Sequence, residues 1–180
     1  MPSKLLRIGT LVLGLTAAAP AVAEKPPELV GAPEAQTKVG ETAFRVMFWT
    51  VFDASLWSAN PSFDWTSPFA LSLTYARDFT AEQLTEKTVE EMARLSRRPE
   101  SAFYDFGKTF NACVSDVGEG DRITAVSRGP DTARLYLNGD MRCELEAPGL
   151  RESFFGIWLS RDSLFPEATA KLIGADDGSK

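Results

Sequence analysis

In the segment "FALSLTYAR", Tyr75 and Arg77 stand two residues apart. In an extended chain that spacing puts a phenol and a guanidinium on one face, behind Phe69, Leu71 and Leu73. Together the two groups could hold a carboxylate by charge-assisted hydrogen bonds. Thr50 is the one hydrogen-bonding side chain on the alternating face Phe44, Val46, Phe48, Thr50, Phe52, Ala54 and Leu56. A threonine hydroxyl and a phenol aimed at one carbonyl oxygen could polarise it. Arg77 has three outcomes open to it: reaching solvent at the strand end, pairing with Asp53 or Asp78, or meeting an anionic ligand, because an arginine buried without a partner is costly. Arg45 lies on a less apolar face and is expected to be exposed.

The chain contains no histidine. Serine triads, Cys–His pairs, His-ligated zinc and imidazole acid–base chemistry are therefore excluded. The carboxylate groups Glu90–Glu91, Asp116–Glu119–Asp121 and Asp176–Asp177 fall on a helix surface, in a turn and in a tail. "DVGEGD" lacks the twelve-residue alternation of a calcium loop and reads as an acidic turn. With no GxGxxG, P-loop or CxxC motif, neither a cofactor nor a metal is expected.

Residues 1–23 carry Lys4 and Arg7, an apolar stretch and the small-residue end Ala21-Val22-Ala23, the pattern of a secretory leader cleaved after Ala23. The apolar run is too short for a spanning helix, and Pro20 interrupts it, so no integral membrane segment is expected after cleavage. Removing Lys4 and Arg7 with the leader leaves 17 basic residues against 25 acidic ones, a formal charge of −8. That balance argues against a nucleic-acid partner. A periplasmic or secreted location permits a disulfide between Cys113 and Cys143, the sole cysteines, closing a loop worth about 3.5 kcal/mol.

Residues 24–38 read as an exposed lead-in, 39–174 as one domain and 175–180 as a flexible tail. Phe44–Leu56 reads as one long or bent strand, and "FALSLTYAR" as the next. The clearest helix is "DFTAEQLTEKTVEEMARLSRR", with a Thr80–Gln83 capping box and an inner stripe of Leu84, Thr88, Met92 and Leu95. A weaker helix covers "PESAFYDFGKTFNAC". Three short strands follow, "DRITAV", "ARLYL" and "MRCEL", the last two joined at Asn138-Gly139. A two-residue turn there pairs Tyr136 with Met141 and Leu135 with Arg142. "PGLRESFFGIWLS" and "PEATAKLIG" close the chain as helices. This order gives an α+β protein with a mainly antiparallel sheet.

The blocks "VGETAFRVMFWTVFDASLW", "FALSLTYARDFTAEQLTEKTVEEM", "GEGDRITAV", "ARLYLNGDMRCEL" and "FFGIWLS" together resemble the bacterial chalcone isomerase-like proteins, over about Val39 to Gly174. The resemblance implies an open-faced β-sandwich, a long antiparallel sheet with a helix layer against one face and a ligand cleft between. The superfamily includes isomerases that cyclise chalcones and non-catalytic relatives that bind fatty acids. "WTVFDASL" is similar to the isomerase segment that carries a catalytic threonine, which points at Thr50. No other isomerase catalytic residue falls on a matching motif.

The leading expectation is thus an exported, non-catalytic protein that holds a small amphipathic ligand such as a fatty acid, with Arg77, Tyr75 and Thr50 as ligand-binding residues. One alternative is an isomerase or lyase acting on a chalcone-like enone through Thr50 and Tyr75. Another is a structural or accessory protein whose cleft is filled by its own side chains.

Overall fold

Six strands follow one another in space in the order of the chain, forming one antiparallel meander. They are β1 (Thr37–Val46), β2 (Trp49–Ser58), β3 (Phe69–Tyr75), β4 (Arg122–Ser127), β5 (Thr132–Leu137) and β6 (Asp140–Glu146). Helices α1 (Ala81–Ser96) and α2 (Tyr104–Cys113) interrupt the meander between β3 and β4, while α3 (Leu150–Leu159) and α4 (Pro166–Leu172) follow it. The computed structural model describes residues 24–175, so the expected secretory leader and all but the first residue of the expected C-terminal tail lie outside the described residues. No helix among the described residues is long and apolar enough to cross a membrane.

The front of the sheet carries the alternating residues Phe69, Leu71, Leu73 and Tyr75 of β3. They join Leu56, Ile123, Leu135 and Leu145 in one core with Met92, Phe110, Phe154 and Phe155 of the helices. Burial of this apolar surface is the main force holding helices to sheet. α1 begins as its sequence dictates: the Thr80 hydroxyl accepts a hydrogen bond from the Gln83 backbone amide, and the Gln83 side-chain oxygen accepts one from the Thr80 backbone amide. α4 lies against β1 at Gly40, where an added Cβ would stand 2.4 Å from the Lys171 carbonyl oxygen.

The long apolar segment Phe44–Leu56 is two strands rather than one. Val46 pairs with Trp49 across a two-residue turn, Met47-Phe48. The sequence hides this turn because such positions usually hold Asn, Asp or Gly, and here an extended apolar run continues through them. Met47 supplies the positive φ, +55°, that the turn demands.

The lead-in is also packed rather than exposed throughout. Two short 3₁₀ turns, Pro27–Leu29 and Pro33–Ala35, lay it across the back of the sheet. There Leu29 and Ala35 are wholly buried against Trp57, Ala70 and Val126. Glu28 reaches the back face too, accepting hydrogen bonds from Thr124 and from Arg122. The apolar anchors are only two and lack a period, so composition alone suggested a solvated segment.

Cys113, at the end of α2, is bridged to Cys143 of β6, with Cα atoms 5.7 Å apart. A bulge brings this about. Tyr136 pairs with Met141 as expected, but Leu135 pairs with Cys143 rather than Arg142. The extra residue puts Cys143 opposite core-facing Leu135, toward the helices.

Candidate ligand-binding cleft

Between the open end of the front face and the helix layer lies a cavity of about 340 Å³, within the size range of small-molecule sites. Phe44, Val46, Val51, Phe52 and Tyr75 form its sheet side, Leu84, Lys87, Thr88 and Glu91 come from α1, and Ile157, Trp158, Leu164 and Phe165 close the other wall. The cleft is therefore not filled by the protein's own side chains.

Aromatic contacts set its shape. Phe44 stacks on Phe52 at 5.0 Å, and Phe165 meets Phe44 edge-on at 5.5 Å. Tyr75 stands edge-on to both Phe52 and Phe79, at 5.9 and 5.8 Å. Such pairs hold rings in fixed orientations, so the apolar surface is preformed. Tyr75, Leu84, Thr88 and Trp158 also line, with Phe110 and Phe154 of the core, a small inner void of about 30 Å³.

Polar groups in the cleft are few, and most are already engaged. The Thr88 hydroxyl donates to the Leu84 carbonyl at 2.7 Å. Glu91 is paired with Arg94 at 2.8 Å. Lys87 is ion-paired with Glu90 at the solvent-exposed rim. The hydrogen bond that Lys87 donates to Glu90, followed by the Glu90 charge, raises the Lys87 pKa and keeps the ammonium protonated. Tyr75 is the exception. It is only 7% exposed, yet its hydroxyl makes no hydrogen bond to any described residue. No buried side-chain polar atom among the described residues lacks a partner, so this hydroxyl reaches the open space of the cleft, where it is free to donate to a ligand.

Burial pushes the Tyr75 pKa well above that of a free phenol. The unfolded chain ionises near the ordinary value of about 10 while the folded chain resists. The linkage has one sign: stability is unaffected below that value and falls as pH rises through it. Absorbance titration of the phenols across the alkaline unfolding transition checks this. Tyr75 should ionise only with alkaline unfolding, and Tyr75→Phe should move that unfolding to higher pH.

The three residues singled out in the sequence are not brought together. Tyr75 lines the cleft. Thr50 does not, because the bulge between β1 and β2 breaks strict alternation: Phe44 pairs with Phe52, but Arg45 pairs with Thr50, leaving Val51 unpaired. Val51 thereby joins Phe52 in the cleft, and the Thr50 hydroxyl accepts a hydrogen bond from Arg45 Nε at 3.3 Å. β3 ends at Tyr75, so Arg77 leaves the strand face. It is exposed, pairs with neither Asp53 nor Asp78, and places its guanidinium 4.5 Å from the centre of the Trp49 ring. Lys87, Trp158 and Phe165 carried no advance signal as cleft residues. Leu84 and Thr88 did, as members of the inner stripe of α1.

A larger depression, about 1100 Å³, runs between α1 and α2. It is an open trough bordered by Glu82, Glu86, Glu90 and Glu100, and it lacks the enclosure an apolar ligand requires.

No family model matches the chain, and no curated protein matches it in sequence. Among solved structures, the crystal structure of the Arabidopsis thaliana fatty-acid-binding protein AtFAP1 is similar, with a TM-score of 0.60 at 7% identity over 77% of this chain and 86% of that one. At that identity the likeness is one of fold. The open six-stranded antiparallel sheet with its helix layer is the chalcone isomerase-like α+β fold, and its apolar cleft lies between the two layers.

Proposed function

We propose that this protein binds a fatty acid or a similar amphipathic molecule in the cleft between sheet and helices, without transforming it. The observation that carries the reading is the unpartnered Tyr75 hydroxyl within a preformed aromatic enclosure. The acyl chain lies over Phe44, Phe52 and Trp158, and Tyr75 donates to a ligand oxygen. Lys87 at the rim supplies the cation for a carboxylate, in place of Arg77, because Lys87 borders the cavity and Arg77 does not. The fatty-acid binding named for AtFAP1, a protein of like fold, supports the same class of ligand. Catalysis on an enone would need Thr50 and Tyr75 at one carbonyl, and these two side chains do not share the cleft. We further propose that the chain is exported and its leader removed after Ala23, a reading the Cys113–Cys143 disulfide favours.

Displacement of a fluorescent fatty acid tests the binding role. Tyr75→Phe removes one hydrogen bond and should weaken binding by about two- to tenfold. Lys87→Gln should cost about two- to fivefold, as befits a rim charge. Arg77→Ala should leave affinity unchanged. Loss of binding in Arg77→Ala with none in Tyr75→Phe would overturn the assignment.

A further inference from the structure

The apex of the β1–β2 hairpin exposes four consecutive apolar residues: Val46 is 52% exposed, Met47 83%, Phe48 91% and Trp49 63%. The other large exposed apolar residues, such as Val30, Tyr104 and Met141, are dispersed. Scattered exposure is ordinary, but a contiguous apolar patch marks an interaction site. Turn chemistry does not account for it either. Met47 holds the left-handed φ of +55° that a two-residue hairpin gives to Gly or Asn. Apolar character is kept at this apex against both solubility and backbone preference.

Two arginines flank it. Arg45 precedes the turn, and Arg77 lies over the Trp49 ring. Both are exposed, and neither forms a salt bridge with a described residue, although the chain as a whole carries a formal charge of −6. Apolar and aromatic side chains flanked by two arginines without salt-bridge partners match the boundary between acyl chains and anionic headgroups, where tryptophan is favoured and basic residues meet phosphate.

We propose that this apex docks on an anionic lipid bilayer, with Met47, Phe48 and Trp49 entering the headgroup–acyl boundary and Arg45 and Arg77 engaging lipid phosphates. A second copy is a poor occupant, because a symmetric contact between apices would set arginine against arginine. The acidity of the rest of the chain orients the molecule, since other faces are repelled from such a surface. Val46 belongs to both the apex and the cleft, and Leu164, 57% exposed, also borders the cavity. Docking thus turns the cleft mouth toward lipid. Only that last consequence, delivery of an amphipathic ligand from bilayer to cleft, rests on the proposed binding function; the docking does not.

Flotation of the chain beginning at Glu24, with vesicles of phosphatidylcholine alone or containing phosphatidylglycerol, tests this. The protein should float with the anionic vesicles, and added salt should weaken the association. Met47→Asn with Phe48→Ser should lower partitioning at least about tenfold, with Asn suiting the turn so that the fold is kept. Arg45→Gln and Arg77→Gln should each lower it about fivefold on anionic vesicles. In the unaltered protein, brominated acyl chains should quench Trp49, the one exposed tryptophan of the four. Leu84→Trp, a change inside the cleft, should leave flotation intact even if it stops fatty-acid binding, so the two proposals fail separately. Absence of flotation, or equal flotation of the apex variant, would overturn the docking. So would a dimer that the apex variant abolishes without any vesicle binding.

Discussion

Replacing Leu84 with tryptophan is expected to lower fatty-acid affinity at least about tenfold, roughly 1.4 kcal/mol or more, while the protein stays folded. Leu84 projects from α1 into the space between the layers, where it borders both the 340 Å³ cleft and the inner void. It is half-buried rather than locked in the core. An indole there grows into space instead of into packed neighbours, so the usual overpacking cost of about 1–3 kcal/mol is reduced. Ligand volume is what the substitution removes. The check is a displacement titration beside a thermal melt, and a folded variant with unchanged affinity would place the ligand elsewhere.

The second large effect concerns stability. Cys113→Ala with Cys143→Ala should cost about 3.5 kcal/mol, the loop-closure value for a bridge joining residues 30 apart. In a domain of this size that lowers Tm by about 10 °C. The bridge ties the end of α2 to β6, far along the chain, and α2 supplies Phe110 to the same core. Chemical denaturation of the double variant, compared with the reduced and oxidised parent, measures the difference. A loss well under about 1 kcal/mol would mean that the packing of α2 already restricts the unfolded chain as much as the bridge does.

Those two predictions draw on features of unequal legibility. The capping box of α1, the Asn138-Gly139 turn and the cysteine pair were readable because each rests on local chemistry: a side chain satisfying a backbone amide, a backbone conformation suited to Asn and Gly, a permitted bond in an oxidising compartment. The antiparallel α+β architecture followed from the order of such elements. What escaped was irregularity within strands. The unpaired Val51 shifts Thr50 off the cleft, and the extra residue in β6 shifts Cys143 toward the core. A bulge has no sequence period, and one residue inverts every face assignment beyond it. The Met47-Phe48 turn was concealed for the opposite reason, since its residues continue the apolar run that made the segment look like a single strand.

The cleft itself was half legible. Tyr75, Leu84 and Thr88 were set out by alternation and by helical spacing. Trp158 and Phe165 enter it through long-range packing, which brings α3 and the segment before α4 over the edge of β1 and β2, and Lys87 borders it from the rim side of α1, off the inner stripe. Arg77 illustrates the limit of spacing arguments. Its alternation with Tyr75 is real, but the strand ends between them, and the guanidinium stacks on Trp49 outside the cavity.

The central claim is that the cleft holds an amphipathic ligand. Native and denaturing mass spectrometry of one sample, purified from its own cells, tests it most directly. The expected native spectrum carries an added mass that denaturation releases as a fatty acid or related amphiphile, and Leu84→Trp lacks it. The denatured mass should correspond to a chain starting at Glu24 with two hydrogens missing at Cys113 and Cys143. A bare native spectrum that stays bare after incubation with long- and medium-chain fatty acids would contradict the binding function.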